Sequence, residues 1–235
     1  MKIEILPNAD AVAARAAHWL ALEAREAVAA RGRFVLAVSG GHTPWQMLRA
    51  LAAEQLPWSS VHLFQVDERV APVGHPDRNL THIQESLLAA VNLPVGNLHA
   101  MPVEIPDLPE AARRYQRELA MAAGTPPALD VVHLGLGPDG HTASLIPNDP
   151  VLDVSDSDVA VTGLYSGYRR VTLTYPALNR ARQVLWVVTG AEKAPVLPRL
   201  MKGDRSIPAG RVHAERALVL ADRAAAERLE QTSIS

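Results

Sequence analysis

The stretch His133-Leu-Gly-Leu-Gly-Pro-Asp-Gly-His-Thr-Ala-Ser-Leu-Ile-Pro147 contains the features that decide the predicted fold. The apolar run at 129–136 has the length and composition of a buried strand, and the glycines that follow allow the chain to turn sharply. His141 therefore lies just past the end of a predicted strand. Imidazole has an unperturbed pKa of about 6.5, which makes it a ready proton carrier near neutral pH. The stretch predicts an active-site loop.

Short β-type runs alternate with alanine-rich helical stretches along the rest of the chain. This pattern predicts an α/β fold with a parallel sheet covered by helices on both faces. Helices are predicted at 10–30, capped by Asp10, and at 109–123. The proline- and acid-rich segments 102–109 and 148–158 are typical of loops rather than linkers, so we predict one domain over residues 1–235. The predicted strands are 3–6, 33–38, 61–66, 130–136, 170–174, 184–188 and 217–220.

Composition excludes several classes of protein. The formal net charge of -2 gives no overall attraction to nucleic acid or to an anionic membrane, so an anionic ligand would need local cations. The absence of cysteine removes disulfides and thiolate chemistry, and no H-x-H or H-E-x-x-H spacing indicates a metal. The acidic start and the apolar runs, far shorter than the roughly 20 residues that span a bilayer, predict a soluble cytoplasmic protein. We expect no metal and no cofactor, and a monomer or weak homo-oligomer.

The turn after the second predicted strand has the chemistry of an anion site. It reads Ser39-Gly-Gly-His-Thr-Pro44, in which Thr43 is a suitable cap for the following helix. The amides of this turn would then face a ligand at the positive end of the helix dipole. A plain strand-to-helix turn is the alternative, but it needs only one glycine. The residues predicted to bind a phosphate here are Ser39, Gly40, Gly41 and Thr43.

Charged and polar residues also lie near the ends of other predicted strands. Asp67-Glu-Arg69 follows the third strand directly, where Arg69 can grip a phosphate with its planar fork and Asn79 can add a polar contact. Lys193 follows the sixth strand, and Arg170 begins the fifth. Because ligands bind beyond the carboxyl ends of parallel strands, we expect these loops to share one crevice. Solvated surface positions are the alternative for each of these side chains.

The stretch at 133–147 also matches the dinucleotide-binding pattern G-x-G-x-x-G, at residues 135–140. We reject a dinucleotide site, because Pro147 and Pro150 interrupt the long helix that should follow such a turn. Gly137 and Gly140 are instead predicted to let a small ligand approach the backbone.

Together these motifs resemble those of the 6-phosphogluconolactonase family. The G-P-D-G-H-T-A-S string is highly specific, whereas S-G-G-x-T-P is shared with glucosamine-6-phosphate deaminase and related sugar-phosphate isomerases. The resemblance implies a Rossmann-like sheet of that superfamily and a metal-free hydrolase of the oxidative pentose phosphate pathway. The family usually has serine where this chain has His42 and Arg78. The resemblance rests on Ser39-Gly-Gly-x-Thr-Pro44, Asp67-Glu-Arg69, Leu134-Gly-Leu-Gly-Pro-Asp-Gly-His-Thr-Ala-Ser144, Arg170-Val-Thr-Leu-Thr174, Asn179-Arg-Ala181 and Val188-Thr-Gly-Ala-x-Lys193.

The resemblance implies hydrolysis of 6-phospho-D-glucono-1,5-lactone, an internal ester, to 6-phosphogluconate. We expect His141 to act as general base and later as acid, while Asp139 either orients the imidazole or serves only the turn. Amides at 137–140, or a nearby cation, would stabilise the oxyanion. The 39–43 turn and Arg69 would hold the phosphate and so position the reacting carbon over the imidazole. The remaining predicted substrate contacts are Asp67, Glu68, Asn79, Gly137, Gly140, Arg170 and Lys193.

Two other functions fit parts of the sequence. A deaminase or isomerase would use a carboxylate such as Asp67 to move a proton between adjacent carbons. Its histidine turn resembles G-H-I-A-F-N-E-P, and that acid is absent from Gly140-His-Thr-Ala-Ser-Leu-Ile-Pro147. A sugar-phosphate-sensing module without catalysis would need an attached DNA-binding domain, for which the chain has no room before its first predicted strand. The expected partner is a small sugar-phosphate lactone.

Overall fold

The fold is described by a computed structural model covering residues 1–213 and 215–232. The strands are β1 (Lys2–Leu6), β2 (Phe34–Val38), β3 (Val61–Gln65), β4 (Asp67–Arg69), β5 (Leu98–His99), β6 (Val131–Leu134), β7 (Val159–Val161), β8 (Arg170–Leu173), β9 (Gln183–Val188) and β10 (Ala217–Asp222). The α-helices are α1 (Ala9–Arg31), α2 (His42–Ala52), α3 (Asn79–Ile83), α4 (Leu108–Ala123), α5 (Tyr175–Arg180), α6 (Leu197–Met201) and α7 (Arg223–Thr232).

Seven strands form a parallel sheet in the order β1-β10-β9-β6-β2-β3-β5. Six of the predicted strands are confirmed here with ends that agree to within two residues. β9, β6, β2 and β3 are direct neighbours, so their carboxyl ends lie side by side at one edge of the sheet. The loops that leave these four ends carry the motifs singled out in the sequence.

Side chains on β2 alternate between the two faces of the sheet. Phe34, Leu36 and Val38 pack in the apolar cluster that includes α1 and α2, whereas Val35 and Ala37 pack in the cluster that includes α4. All five are buried, as expected of a central parallel strand with helices on both sides. The predicted layering is therefore confirmed.

A second sheet, antiparallel, has the order β4-β8-β7. The strand predicted at 170–174 is present as β8, but it pairs in this second sheet and not in the parallel one. Register places Arg69 of β4 opposite Arg170 of β8. The sequence did not predict β4, because a run of three charged residues is not typical of a strand. It also did not predict β7, which has only three residues and directly follows the predicted loop at 148–158. The pairing brings two arginines from distant parts of the chain to one place.

The first helix begins slightly earlier than predicted. α1 starts at Ala9, and the side chain of Asn8 caps it by accepting a hydrogen bond of 2.9 Å from the amide of Ala11. The prediction that Asp10 caps this helix is wrong. Asparagine and aspartate are nearly equal caps, so two adjacent candidates cannot be separated by residue type. No helix within residues 1–213 and 215–232 is long and apolar enough to cross a membrane.

Candidate active site

A cleft of about 240 Å³ lies at the carboxyl ends of the four neighbouring strands. This volume is below the roughly 300–1,000 Å³ of typical drug-sized sites, so it suits a small ligand. Loops after β2, β3, β6 and β9 all contribute to its lining, and they therefore share one crevice. Of the predicted site residues, the lining includes Ser39, Gly40, Gly41, Asp67, Arg69, Asn79, Gly137, His141, Arg170 and Lys193.

His141 is held by Asp139. The imidazole Nδ1 lies 2.6 Å from Asp139 Oδ1, which also accepts a hydrogen bond of 3.1 Å from the His141 amide. Burial acts to raise the pKa of Asp139, but the hydrogen bonds and charge of His141 outweigh it, so the pKa lies below its usual value. An ionised Asp139 can only accept, and Nδ1 therefore carries the proton. The Nε2 lone pair is left available for chemistry.

The turn that presents His141 is closed by its own backbone hydrogen bonds. The amide of Gly137 donates to the His141 carbonyl at 2.8 Å, and the amide of Gly140 donates to the Gly137 carbonyl at 2.9 Å. These two amides are therefore engaged, which favours the other expected source of oxyanion stabilisation, a nearby cation.

Glycine is required in this turn for packing against protein atoms. A Cβ on Gly137 would lie 2.1 Å from His141 Nδ1, so glycine makes room for the imidazole. Gly140 has φ +85°, and a Cβ there would lie 2.6 Å from a side-chain carbon of Ile207. Gly140 does not line the cleft, and the prediction that it contacts substrate is wrong.

Arg170 is a buried cation at the cleft wall. Its Nη1 lies 3.9 Å from Asp67 Oδ2, and its Cζ lies 5.2 Å from the ring centre of Tyr165. Burial lowers the pKa of Arg170, an effect that Asp67 opposes. Its buried Nε has no hydrogen-bond partner in the described part of the chain. A buried donor without a partner is costly, so this guanidinium favours an anionic or carbonyl ligand.

Arg69 and Asn79 connect the β4 loop to the glycine turn after β2. Arg69 Nη1 donates to the Asp77 carbonyl at 2.6 Å and to Asn79 Oδ1 at 3.3 Å. A Cβ on Gly40 would lie 1.8 Å from Asn79 Oδ1, so only glycine allows the turn to pack directly on this amide. The guanidinium and the glycine turn therefore border the same end of the cleft.

Asp67 is held by two side chains inside the cleft wall. Ser144 Oγ donates to Asp67 Oδ2 at 2.5 Å, and Asn79 Nδ2 donates to Asp67 Oδ1 at 3.2 Å. Ser144 Oγ also lies 3.4 Å from Arg170 Nη1, so it links the acid to the guanidinium. Ser144 lies within the histidine motif at 133–147, but it was not among the predicted site residues.

Tyr165 is a second residue that the sequence analysis missed. Its ring centre lies 5.9 Å from that of His141, in an edge-on arrangement, and it also faces Arg170. Tyr165 pairs with Tyr168 across Ser166-Gly167, which both have positive φ as in a tight hairpin turn. That Ser-Gly dipeptide is the local sequence signal that predicts the hairpin.

Lys193 lines both the cleft and a second, adjoining cavity of about 410 Å³. Its Nζ lies 3.5 Å from the carboxylate of the neighbouring Glu192. Thr43 lines only the second cavity, and its hydroxyl lies 2.6 Å from that of Thr189. Because α2 begins at His42, Thr43 lies within the helix, and the prediction that it caps α2 is wrong. Thr43 is therefore not among the residues at the cleft.

Glu68 also lies outside the cleft. Its side chain is fully buried and accepts hydrogen bonds from neighbouring protein groups, including the amides of Arg69 and Asn79. The prediction that Glu68 contacts substrate is therefore wrong. Among residues 1–213 and 215–232, no group of three or more His, Asp or Glu side chains is arranged to hold a metal ion.

Comparison with known proteins identifies the family. The family described as Glucosamine-6-phosphate isomerases/6-phosphogluconolactonase matches residues 7–220. The chain belongs to this family. A 6-phosphogluconolactonase of Synechocystis sp. is 40% identical over 200 residues, which cover 83% of each chain. One of Mycobacterium tuberculosis is 39% identical over 241 residues, covering 97% of this chain and 98% of the relative.

Solved structures of the family share the fold. The crystal structure of 6-phosphogluconolactonase from Thermotoga maritima has a TM-score of 0.84 at 29% identity, covering 94% of this chain and 98% of that one. A monomeric glucosamine-6-phosphate deaminase has a TM-score of 0.85 at 19% identity, covering 97% of this chain and 100% of that one, and shows the fold alone. The resemblance and the fold class inferred from the sequence are confirmed.

The two departures from the family pattern lie in different surroundings. His42 is exposed and lines the second cavity, away from His141. Arg78 is 1% exposed, and its guanidinium lies between the carboxylates of Glu68 and Glu104. Of the two imidazoles, His141 is therefore the one that lines the cleft, and Arg78 belongs to a buried ion cluster.

Proposed function

We propose that this chain hydrolyses 6-phospho-D-glucono-1,5-lactone to 6-phosphogluconate, a reaction of the oxidative pentose phosphate pathway. The observation that carries the proposal is the cleft, where one oriented imidazole, His141, lies with the cations of Arg69, Arg170 and Lys193. An anionic sugar ester needs a proton carrier at its carbonyl and positive charge at its phosphate and oxyanion. The relatives named 6-phosphogluconolactonase support the same activity.

His141 acts on water at the ester. Its Nε2 takes a proton from a water molecule, and the resulting hydroxide attacks the lactone carbonyl carbon. The imidazolium then returns the proton to the ring oxygen as the carbon–oxygen bond breaks. Asp139, at 2.6 Å from Nδ1, fixes the tautomer and stabilises the imidazolium. A positioned general base of this kind is typically worth about 100- to 10,000-fold in rate.

Arg170 stabilises the oxyanion. Tyr165 contacts both the imidazole of His141 and the guanidinium of Arg170, so these two groups lie at the same end of the cleft. The guanidinium of Arg170 lines the cleft and provides positive charge, whereas the amides of Gly137 and Gly140 are engaged within the turn. Removal of one oxyanion donor typically costs about 2.7 to 4 kcal/mol of transition-state stabilisation.

The phosphate binds at the other end, between Arg69 and the Gly40-Gly41 turn. The first amides of α2 have no partner within the helix, and they lie at its positive end. Arg69 adds a planar guanidinium, and Lys193 adds a further cation at the border of the cleft. Binding energy from the phosphate thus positions the carbonyl carbon near His141.

One assay tests the proposal. Consumption of 6-phosphogluconolactone is measured against a control without enzyme, for the wild-type chain and for His141→Ala, with glucosamine 6-phosphate as a second substrate. We expect lactone hydrolysis by the wild type, loss of activity above the spontaneous rate in His141→Ala, and no release of ammonia. Near-normal turnover by a folded His141→Ala protein, or deamination in place of hydrolysis, would contradict the proposal.

A further inference from the structure

Glu68 is a buried acid that the proposed reaction does not use. Its side chain is fully buried beneath the cleft. Every partner that its carboxylate binds is a nitrogen donor of the protein. These are Gln65 Nε2 at 2.7 Å and the amides of Arg69 at 2.8 Å, Asn79 at 2.9 Å and Leu80 at 2.8 Å.

The four donors belong to separate segments of the chain. Gln65 ends β3, Arg69 ends β4, and Asn79 and Leu80 are the first residues of α3. The chain leaves at Arg69, forms the loop 70–78, and returns at Asn79. The first amides of a helix have no partner within that helix, and here the carboxylate of Glu68 accepts two of them. Glu68 therefore closes the base of this loop.

The backbones that Glu68 holds carry the side chains of the phosphate end of the cleft. Arg69 and Asn79 both line the cleft, and Arg69 Nη1 donates to Asn79 Oδ1. The amide group of Asn79 also packs against Gly40 so closely that no Cβ fits between them. A shift of the Asn79 backbone would therefore move the guanidinium and the glycine turn relative to each other.

The charge of Glu68 is balanced by a second buried group. Arg78 Nε lies 3.6 Å from Glu68 Oε2, and Arg78 Nη1 forms an ion pair with Glu104. A carboxylate is acceptor-only and has about four lone-pair sites, which matches the four donors around Glu68. A glutamine amide would place two N–H groups against those donors. The site thus fits a side chain whose two terminal atoms are both acceptors.

We propose that Glu68 is a positioning residue that sets the spacing of Arg69, Asn79 and the Gly40 turn, and thereby gives the enzyme its preference for a phosphorylated lactone. Glu68 acts through these residues and touches no substrate atom. The inference rests on the proposed function. The inference predicts a selective effect. Loss of Glu68 weakens binding of the phosphate group and leaves ester hydrolysis at His141 intact.

The test compares Glu68→Gln with a matched control, Asp130→Asn. Asp130 is 6% exposed, accepts a hydrogen bond of 2.8 Å from the Val35 amide, and pairs with Arg31. It is also a buried acid, but it lies just before β6, at the opposite edge of the sheet. Both variants are assayed on 6-phosphogluconolactone and on unphosphorylated gluconolactone, and thermal unfolding of both is recorded.

We expect Glu68→Gln to lower kcat/KM for the phosphorylated lactone by at least about 10-fold, mainly through KM, because small displacements of binding groups are costly. For gluconolactone we expect a change of less than about threefold, as for Asp130→Asn with both substrates. If Glu68→Gln instead changes kcat/KM equally for both substrates, as is expected of Asp130→Asn, the inference is overturned. If Glu68→Gln does not fold, Glu68→Gln with Arg78→Met removes both buried charges, and Glu104, which then loses its partner, is 45% exposed. The same selective loss on the phosphorylated lactone is expected of the double variant, and equal losses on both substrates would again overturn the inference.

A binding measurement separates this inference from the proposed function. Calorimetric titration with 6-phosphogluconate and with gluconate reports phosphate recognition without turnover. A wild-type chain that binds 6-phosphogluconate but hydrolyses no lactone would contradict the proposed function alone. Weaker binding of 6-phosphogluconate by Glu68→Gln, with gluconate unaffected, would support Glu68 as the positioning residue, and unchanged affinity for 6-phosphogluconate would reject it.

Discussion

The burial of His133 should make the protein less stable in acid. It lies in β6 beneath the cleft and is completely buried. Its Nδ1 accepts a hydrogen bond of 3.3 Å from the Ser39 amide, and its Nε2 has no partner among the residues that the structure describes. Burial lowers the pKa of His133 to about 3. The native protein therefore keeps this imidazole neutral in mild acid.

The unfolded chain behaves differently, because an exposed histidine has a pKa of about 6.5. Between pH 6.5 and pH 3 the unfolded state binds a proton that the native state does not, so the free energy of unfolding falls as the pH falls. Each pH unit in this window is worth about 1.36 kcal/mol. Acidification from about pH 7.5 to about pH 5 should remove about 2 kcal/mol through His133, and the loss reaches about 4 kcal/mol near pH 3.

Urea unfolding at a series of pH values measures this effect. His133→Asn is the comparison, because asparagine can still accept the Ser39 amide hydrogen but does not titrate. Burial also lowers the pKa of His62, and burial and His62 lower the pKa of His99 to about 4. Both histidines therefore reduce the free energy of unfolding in acid, and they do so equally in the wild type and in His133→Asn. The wild type should lose about 2 kcal/mol more than His133→Asn between about pH 7.5 and pH 5. Parallel pH curves for the two proteins would refute the argument.

Two other substitutions test the two ends of the cleft. Arg69→Ala should lower kcat/KM for the phosphorylated lactone by at least about 10-fold and leave gluconolactone nearly unchanged, since we propose that the guanidinium binds the phosphate. Equal losses on the two substrates would reject that role. Gly137→Ala should reduce turnover by about 100-fold, because its methyl group would lie 2.1 Å from His141 Nδ1 and displace the imidazole. Gly96→Ala, whose methyl group meets nothing within 4 Å, is the control, and equal turnover in both variants would contradict this placement.

Features that depend on local sequence were predictable. The buried strands and the sharp turn at His141 follow from apolar runs and glycines that lie next to each other in the chain. The meeting of the loops after β2, β3, β6 and β9 also follows, because parallel strands place their carboxyl ends at one edge. Long-range pairing was not predictable in the same way. β8 has the composition of any short buried strand, and nothing within it specifies β4 as its partner.

Glu68 shows why site residues are harder to predict than strands. In the sequence it stands between two charged residues that both line the cleft, and residue type alone does not separate it from them. Its burial depends on Asn79 and Leu80, which return to it after a loop. Tyr165 was missed for the same reason, since its contacts with Arg170 and His141 are made only in the folded chain.

The order of the strands has a consequence for when activity arises during synthesis. The cleft uses the turn at Ser39, the histidine turn and finally Lys193, so its parts are spread over most of the chain. β9, which precedes Lys193, pairs with both β6 and β10. A nascent chain from which β10 has not yet emerged would therefore contain every motif of the site, but one side of β9 would be unpaired. We expect catalysis to arise only after β10 has joined the sheet.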